Sequence, residues 1–220
     1  MTLILGIDDA GRGPVLGPMT LAGVLAEQKD EKILQLWGAK DSKLLTPKKR
    51  NEIKEKIKKQ FKYHIEITEP EEIDNSSNLN YLEAIKTAKI INKLTKDSKE
   101  KIKVIVDCPS VNIQAWSNDV QQLIKYPKNI QLLCEHKADL NHPIVSAASI
   151  IAKEKREDEV YKLKLKLKID FGSGYPADPK TKEFVTENFN KEKYKTLIRF
   201  SWNTIKKLIK TKGIKQEKLF

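Results

Sequence analysis

Three acidic residues of this chain stand in the same kind of place. Asp8 closes the apolar run LILGI, Asp107 closes the run VIV, and Asp139 follows the run IQLLC by five residues, just before a helix pattern that opens at Pro143. In α/β sheets, ligand sites gather where the chain leaves the strands. Carboxylates from separate strands that meet there repel one another and stay ionised only if cations neutralise them. Hard oxygen ligands select Mg²⁺ or Mn²⁺. Two such ions about 3.5–4 Å apart can activate a water and stabilise the leaving oxygen of a phosphoryl displacement. Asp9, next to Asp8, is a fourth candidate ligand. A lone strand-end Asp more often serves turn or cap chemistry. Four in this arrangement, in a basic protein, favour the metal reading.

The surrounding elements must bring these residues together. Residues 2–8 and 19–26 read as neighbouring strands joined by the Gly- and Pro-rich stretch GRGPVLGP. Thr46-Pro47 reads as N-cap and first residue of a helix reaching about Gln60, with Ile53 and Ile57 inward. Residues 61–68 alternate, as a strand with one exposed face does. Leu79, Leu82, Ile85, Ala88, Ile91 and Leu94 recur at helical spacing over 79–95. The runs Val104–Val106 and Ile130–Cys134, with a helical stretch near 112–125 between them, predict a parallel βαβ unit. From Pro143 a helix with a small face of Ala147, Ala148 and Ala152 is expected. The run YKLKLKLKI at 161–169 has strand period, yet it continues that helix without a break, and helix is the expectation. Residues 172–179 read as a loop, 180–190 as a helix, and about 203–212 as a basic amphipathic helix. The expected fold is α/β with a mainly helical C-terminal part. The division expected is a core over 1–170 and an extension over 171–220.

The 220 residues are 39% hydrophobic and 33% charged, the profile of a globular protein with a highly charged surface. The formal net charge of +12 favours a polyanionic partner. Residues 151–220 carry 19 basic against 10 acidic side chains, and 191–220 carry 10 against 2. The positive charge therefore concentrates in the C-terminal third. No apolar run approaches the ~18–20 residues that span a bilayer, and no membrane association is expected. Met1 to Ile7 lacks a basic leader and runs straight into Asp8, so a secretory signal is not expected. Cys108 and Cys134 have neither disulfide-framework nor zinc-site spacing, which fits a reducing cytoplasm.

Several motifs, taken in order, resemble one family. Asp8-Asp9-Ala10-Gly11-Arg12-Gly13-Pro14 resembles the DEAGRGP signature of the type 2 ribonucleases H, the ribonuclease HII family. Lys40-Asp41-Ser42-Lys43 is similar to that family's KDSK segment, and Val106-Asp107 to its strand-end Asp. His136-Lys137-Ala138-Asp139 with Val145 to Lys153 is similar to its HKAD and VSAASIIAK block. Gly172-Ser173-Gly174-Tyr175-Pro176 and Arg199-Phe200-Ser201-Trp202 resemble its archaeal form. Together these motifs span roughly residues 2–203.

The resemblance implies a ribonuclease H-like mixed sheet flanked by helices, with a helical C-terminal extension. It implies endonucleolytic cleavage of RNA in RNA–DNA hybrids, and of single ribonucleotides embedded in duplex DNA. The implied cut lies 5′ of the ribonucleotide and leaves a 3′-hydroxyl and a 5′-phosphate, as ribonucleotide excision repair and DNA replication require. Asp8, Asp9, Asp107 and Asp139 would be the catalytic, metal-binding carboxylates. Gly11, Arg12 and Gly13 would read the ribose 2′-hydroxyl, which separates RNA from DNA, and Tyr175 would stack on the following deoxyribose. Lys43, Ser146 and Ser149 would contact phosphates. His136 and His142 are expected in supporting roles. The C-terminal Gln216 to Phe220 partly resembles a sliding-clamp-binding box, and a monomer is expected. The family's second acidic residue is Glu where this chain has Asp9, one methylene shorter. That departure motivates an alternative, a hybrid-binding protein with weakened catalysis. Another two-metal nuclease or recombinase of the same fold class is the third reading. The type 3 relatives, which carry a domain ahead of the first Asp, are not expected.

Overall fold

The computed structural model describes residues 2–39 and 45–211. Its strands are β1 (Leu3–Ala10), β2 (Met19–Glu27), β3 (Lys62–Thr68), β4 (Ile102–Asp107) and β5 (Ile130–Glu135). Its helices are α1 (Glu31–Leu36), α2 (Pro47–Gln60), α3 (Pro70–Asp74), α4 (Leu79–Thr95), α5 (Ile113–Leu123), α6 (Ala138–Asn141), α7 (Pro143–Leu167), α8 (Pro179–Asn188) and α9 (Asn203–Thr211). The strands form one mixed sheet in the order β3-β2-β1-β4-β5. β1 runs antiparallel to β2 and parallel to β4, and β4 runs parallel to β5.

The chain divides into two compact units. The first takes Met1–Ala10, Thr20–Ile67 and Asn78–Lys155; the second takes Gly11–Met19, Thr68–Ser77 and Arg156–Phe220. Each unit therefore gathers segments distant in sequence, which no single cut point expresses.

In the first unit, one sheet face packs Ile4, Ala22, Val24 and Ile105 against Ile53 and Ile57 of α2 and against Ile144, Ala148 and Ile151 of α7. Gly6 allows the first turn of α7 to lie on β1: a Cβ there would meet the carbonyl carbon of Ile144 at 2.4 Å. The opposite face receives α4, since a Cβ on Gly23 would meet Ile90 at 2.3 Å. α2 begins as expected, with the Thr46 hydroxyl accepting from the Lys49 N–H at 3.3 Å. Leu82, Ala88 and Ile91 of α4 are buried as expected, but Leu79, Ile85 and Leu94 are only half-buried. Glu83, Lys86, Thr87 and Ile90 are buried in their place. Tertiary contacts on both sides of the helix widen its buried face beyond one apolar stripe. β3 is half-buried along most of its length rather than cleanly alternating.

The second unit has its own core, including Val15, Leu16, Phe171, Phe184, Phe189, Tyr194, Ile198 and Ile205. The KLKLKLK run is helical, as expected. α7 ends on Lys168 in a left-handed conformation, φ 53°. There the Ile169 N–H bonds to the Lys164 carbonyl and the Lys168 N–H to the Leu165 carbonyl, a Schellman stop.

Candidate active site

Asp8, Asp107 and Asp139 converge, with carboxylate oxygens within 4.8 Å of one another. Strand register produces two of the three positions. Ile7 pairs with Val106 across the parallel β1–β4 ladder, so the next residues, Asp8 and Asp107, share a face at the strand ends. The third comes from a backbone feature. Lys137 adopts φ 58°, ψ 35°, a left-handed conformation uncommon for a side-chain-bearing residue. That residue turns the chain from β5 into α6, whose first turn carries Asp139. The Ala138 N–H donates to Asp107 Oδ1 at 3.2 Å, tying α6 to β4. Asp139 thus sits inside a short helical turn rather than in a free loop before Pro143.

The cluster is under electrostatic load. Asp8 is 6% exposed and Asp139 is 4% exposed. The Asp8 carboxyl is held well above its usual range, first by burial, then by the charge of Asp9 and, further down, that of Asp107. Two hydrogen bonds oppose this rise: one from the Ser149 side chain on α7, the other from the Asp9 N–H, which donates to Asp8 Oδ1 at 2.7 Å. Three converging carboxylates, two of them buried, suit a hard divalent cation that offsets their charge. The donor set therefore fits Mg²⁺ or Mn²⁺.

Asp9 is not part of the trio. Successive strand residues face opposite sides, and Asp9, half-buried, lies toward the α4 face. There, with Asp8 and Asp107, it lines a small cleft that also includes Glu83 and Thr87, each 1% exposed. Glu83 escaped sequence reasoning because it sits within an amphipathic stripe that reads as core. Ser146 and Ser149 are completely buried on the sheet-facing side of α7, with Ser149 turned to Asp8. His136 Nδ1 lies 3.1 Å from the Cys108 carbonyl, and His142 Nε2 lies 2.9 Å from Glu135 Oε1. Both histidines bond to groups flanking the trio. Lys43 and Gln216 to Phe220 lie outside the described residues.

The glycine loop belongs to the second unit. Gly11 has φ 89°, a conformation that favours glycine. Gly13 and Tyr175 are exposed at the surface and adjacent: a Cβ on Gly13 would lie 3.5 Å from the Tyr175 ring. The Arg199-Phe200-Ser201-Trp202 motif braces this loop. Arg199, completely buried, donates from Nε to the Gly17 carbonyl at 2.9 Å and from Nη1 to the Arg12 carbonyl at 3.2 Å. The Trp202 indole N–H donates to the Gly13 carbonyl at 3.1 Å. The motif itself is anchored by Asp74, whose carboxylate accepts from the Phe200 N–H at 2.6 Å and the Ser201 N–H at 2.9 Å.

A mixed five-stranded sheet flanked by helices, with three carboxylates meeting at its strand ends, defines a ribonuclease H-like, metal-dependent nuclease. A family model described as Ribonuclease HII matches residues 5–205. The ribonuclease HII of Methanococcus maripaludis (strain C6) is 42% identical over 223 residues, covering 99% of this chain and 91% of the relative. That of Pyrococcus furiosus is 39% identical over 217 residues, covering 97% and 94%. The crystal structure of the ribonuclease H2 from Pyrococcus horikoshii superposes with a TM-score of 0.83 at 36% identity, covering 97% of this chain and 100% of that one. A solved complex of PCNA and RNase HII from Archaeoglobus fulgidus gives a TM-score of 0.80 at 36% identity, covering 91% and 95%. The chain belongs to the ribonuclease HII family. It is an endoribonuclease of the hydrolase class, acting on RNA in RNA–DNA hybrids. The alternative of a hybrid-binding protein with weakened catalysis finds no support in these comparisons. No helix among the described residues is long and apolar enough to cross a membrane.

Proposed function

We propose that this enzyme also cuts at single ribonucleotides embedded in duplex DNA, on their 5′ side, leaving a 3′-hydroxyl and a 5′-phosphate. The convergence of Asp8, Asp107 and Asp139 within 4.8 Å carries the reading. These three would hold a pair of divalent cations, Mg²⁺ or Mn²⁺, with Asp9 adding negative charge from the adjoining strand position. Bound there, the cations supply an activated water and charge stabilisation for the leaving oxygen. The chain's own contribution is preorganisation. Ser149 and the Asp9 N–H fix the orientation of Asp8, and the Ala138 N–H fixes that of Asp107. Such supports hold the ligands with little freedom, which a catalytic constellation demands.

Gly11, Arg12 and Gly13 are the proposed readers of the ribose 2′-hydroxyl, and Tyr175 the stacking surface for the next sugar. Gly13 and the Tyr175 ring are neighbours open to solvent, which supports that pairing. Lys43 is proposed as a phosphate contact. Ser146 and Ser149, expected at phosphates, are buried, and Ser149 is better proposed as the support of Asp8. The basic C-terminal third would hold the duplex through its phosphates. The enzyme is proposed to act as a cytoplasmic monomer in ribonucleotide excision repair and replication. By analogy with the Archaeoglobus complex, its C-terminus is proposed to reach a sliding clamp.

The test is a duplex carrying one ribonucleotide, incubated with Mg²⁺ or Mn²⁺ and resolved at nucleotide resolution. Cleavage 5′ of the ribonucleotide is expected. Cutting of all-DNA duplex at equal rate, or no cutting with either ion, overturns the reading.

A further inference from the structure

Arg156, on α7, is 7% exposed, yet it forms no ion pair among the described residues and faces the glycine loop instead. Its side chain lies directly over Gly11: a Cβ there would sit 2.3 Å from Arg156 Cδ and 2.4 Å from Nε. Its Nη2 donates to the Ser173 carbonyl at 3.1 Å. Its guanidinium carbon lies 5.2 Å from the centre of the Tyr175 ring, within the range of a cation–π contact. The Nε–H is buried and finds no hydrogen-bond partner among the described residues. A buried donor left unsatisfied costs stability and calls for an explanation.

One guanidinium thus touches both segments proposed to read the substrate. The segments are joined independently, because the Val15 N–H donates to the Gly174 carbonyl at 2.8 Å. That bond sets the two backbones, while the direction of the Tyr175 ring is left to its neighbours. Those neighbours include Gly13, which offers no side chain, and the Arg156 guanidinium. We infer that Arg156 is a positioning residue: it presets the Tyr175 ring and the Gly11 backbone as one pair, and so sets discrimination for a ribonucleotide over DNA. It need not touch the substrate. The inference rests on the proposed reading of Tyr175 and the loop as substrate contacts.

A double-mutant cycle tests it. Affinity for a duplex with one ribonucleotide, and for the all-DNA duplex of the same sequence, is measured by fluorescence anisotropy in chelator, and kcat/KM is measured in Mg²⁺. Arg156→Met and Tyr175→Ala are each expected to lower kcat/KM about 10- to 100-fold and to shrink the ratio of the two affinities. In the double variant, the loss should be no greater than the larger single loss. Losses that multiply would overturn the inference, since Arg156 would then act without Tyr175. Unchanged discrimination in Arg156→Met would overturn it too. If Tyr175→Ala alone has no effect, the reading of Tyr175 as a substrate contact fails, and the inference falls with it. Should Arg156→Met not fold, Arg156→Lys, which keeps the charge but loses the planar fork, enters the same cycle with the same expectation of non-additivity.

Discussion

Replacing Asp8 by Asn removes one charge from the acidic trio while keeping its shape. Asn Oδ1 can still accept from the Asp9 N–H, the 2.7 Å bond that orients Asp8. At 4.8 Å, the outer limit of the trio's spacing, two unit charges repel by about 3.5 kcal/mol at an effective dielectric constant near 20. Asp107 is half-exposed, and solvent screening there trims the net effect to roughly 2 kcal/mol. Without divalent ions, Asp8→Asn should therefore be more stable than wild type. For a protein of this size that corresponds to a rise in Tm of about 4–8 °C. The assay is scanning calorimetry in chelator, repeated across a Mg²⁺ titration. Added Mg²⁺ should raise the Tm of wild type more than that of the variant, because binding stabilises only the state that holds the ion. In Mg²⁺ the variant should lose more than about 10³-fold in kcat while keeping its affinity for the hybrid. A variant that folds normally yet melts below wild type in chelator would refute the reasoning. The carboxylates would then not repel, and no cation would be needed to hold them together.

Gly6→Ala should cost about 3 kcal/mol in urea denaturation, because the new Cβ meets α7 backbone atoms at 2.4 Å and backbone cannot step aside as a side chain can. Its activity should fall too, since α7 carries the Ser149 that supports Asp8. Asp74→Ala should cost about 3 kcal/mol by leaving the Phe200 and Ser201 N–H groups without their acceptor; a cost below ~1 kcal/mol would mean water replaces the carboxylate. Cys134 is buried and its thiol is pushed up from 9.0 to about 11, chiefly by burial. Below pH 9 both folded and unfolded chains keep that proton, so its contribution to stability is intact. As pH rises from 9 toward 11 the unfolded chain ionises first and the contribution is lost, by roughly 2 kcal/mol. Urea denaturation from pH 8 to 11 reads this directly, and Cys134→Ser should flatten the profile. Hybrid affinity measured in chelator should fall steeply between 50 and 200 mM salt; a flat response would make the C-terminal charge solvated surface only.

Much of the fold is legible in the sequence where local chemistry decides it. Thr46-Pro47 starts α2 because an N-cap and a pre-set φ act within one turn. The two apolar runs around 104 and 132 pair because a helix-length connection leaves a parallel crossover as the natural solution. The carboxylate trio is legible for the same reason: two of its members end strands, and register then aligns them. What hides is whatever depends on contacts from distant segments. Glu83 reads as one polar residue in a core helix until β1 and β4 are laid beside it. Ser149 reads as a phosphate contact until α7 is seen turned with that face to the sheet. The compact units also resist a linear reading, because residues 11–19 and 68–77 are gathered with the C-terminal third.

Asp9 shows where motif and geometry part. Four acids in sequence suggest four equal ligands, but alternation along β1 places Asp8 in the trio and Asp9 on the other face. A residue so placed influences the site mainly through its charge, which is the second cause of the raised Asp8 pKa, and through its backbone N–H, which any residue there would supply. Charge at that position does not depend on one methylene. The shorter Asp in place of Glu therefore perturbs the trio little, provided the first turn of α6 and the Ser149 support stay in place. Asp9→Glu should accordingly change kcat by less than about tenfold, whereas Asp9→Asn should remove the field that weighs on Asp8 and shift metal dependence. If Asp9→Glu instead raises kcat by several orders of magnitude, Asp9 must be a direct ligand whose reach limits the wild-type enzyme, and its assignment to the α4 face is wrong.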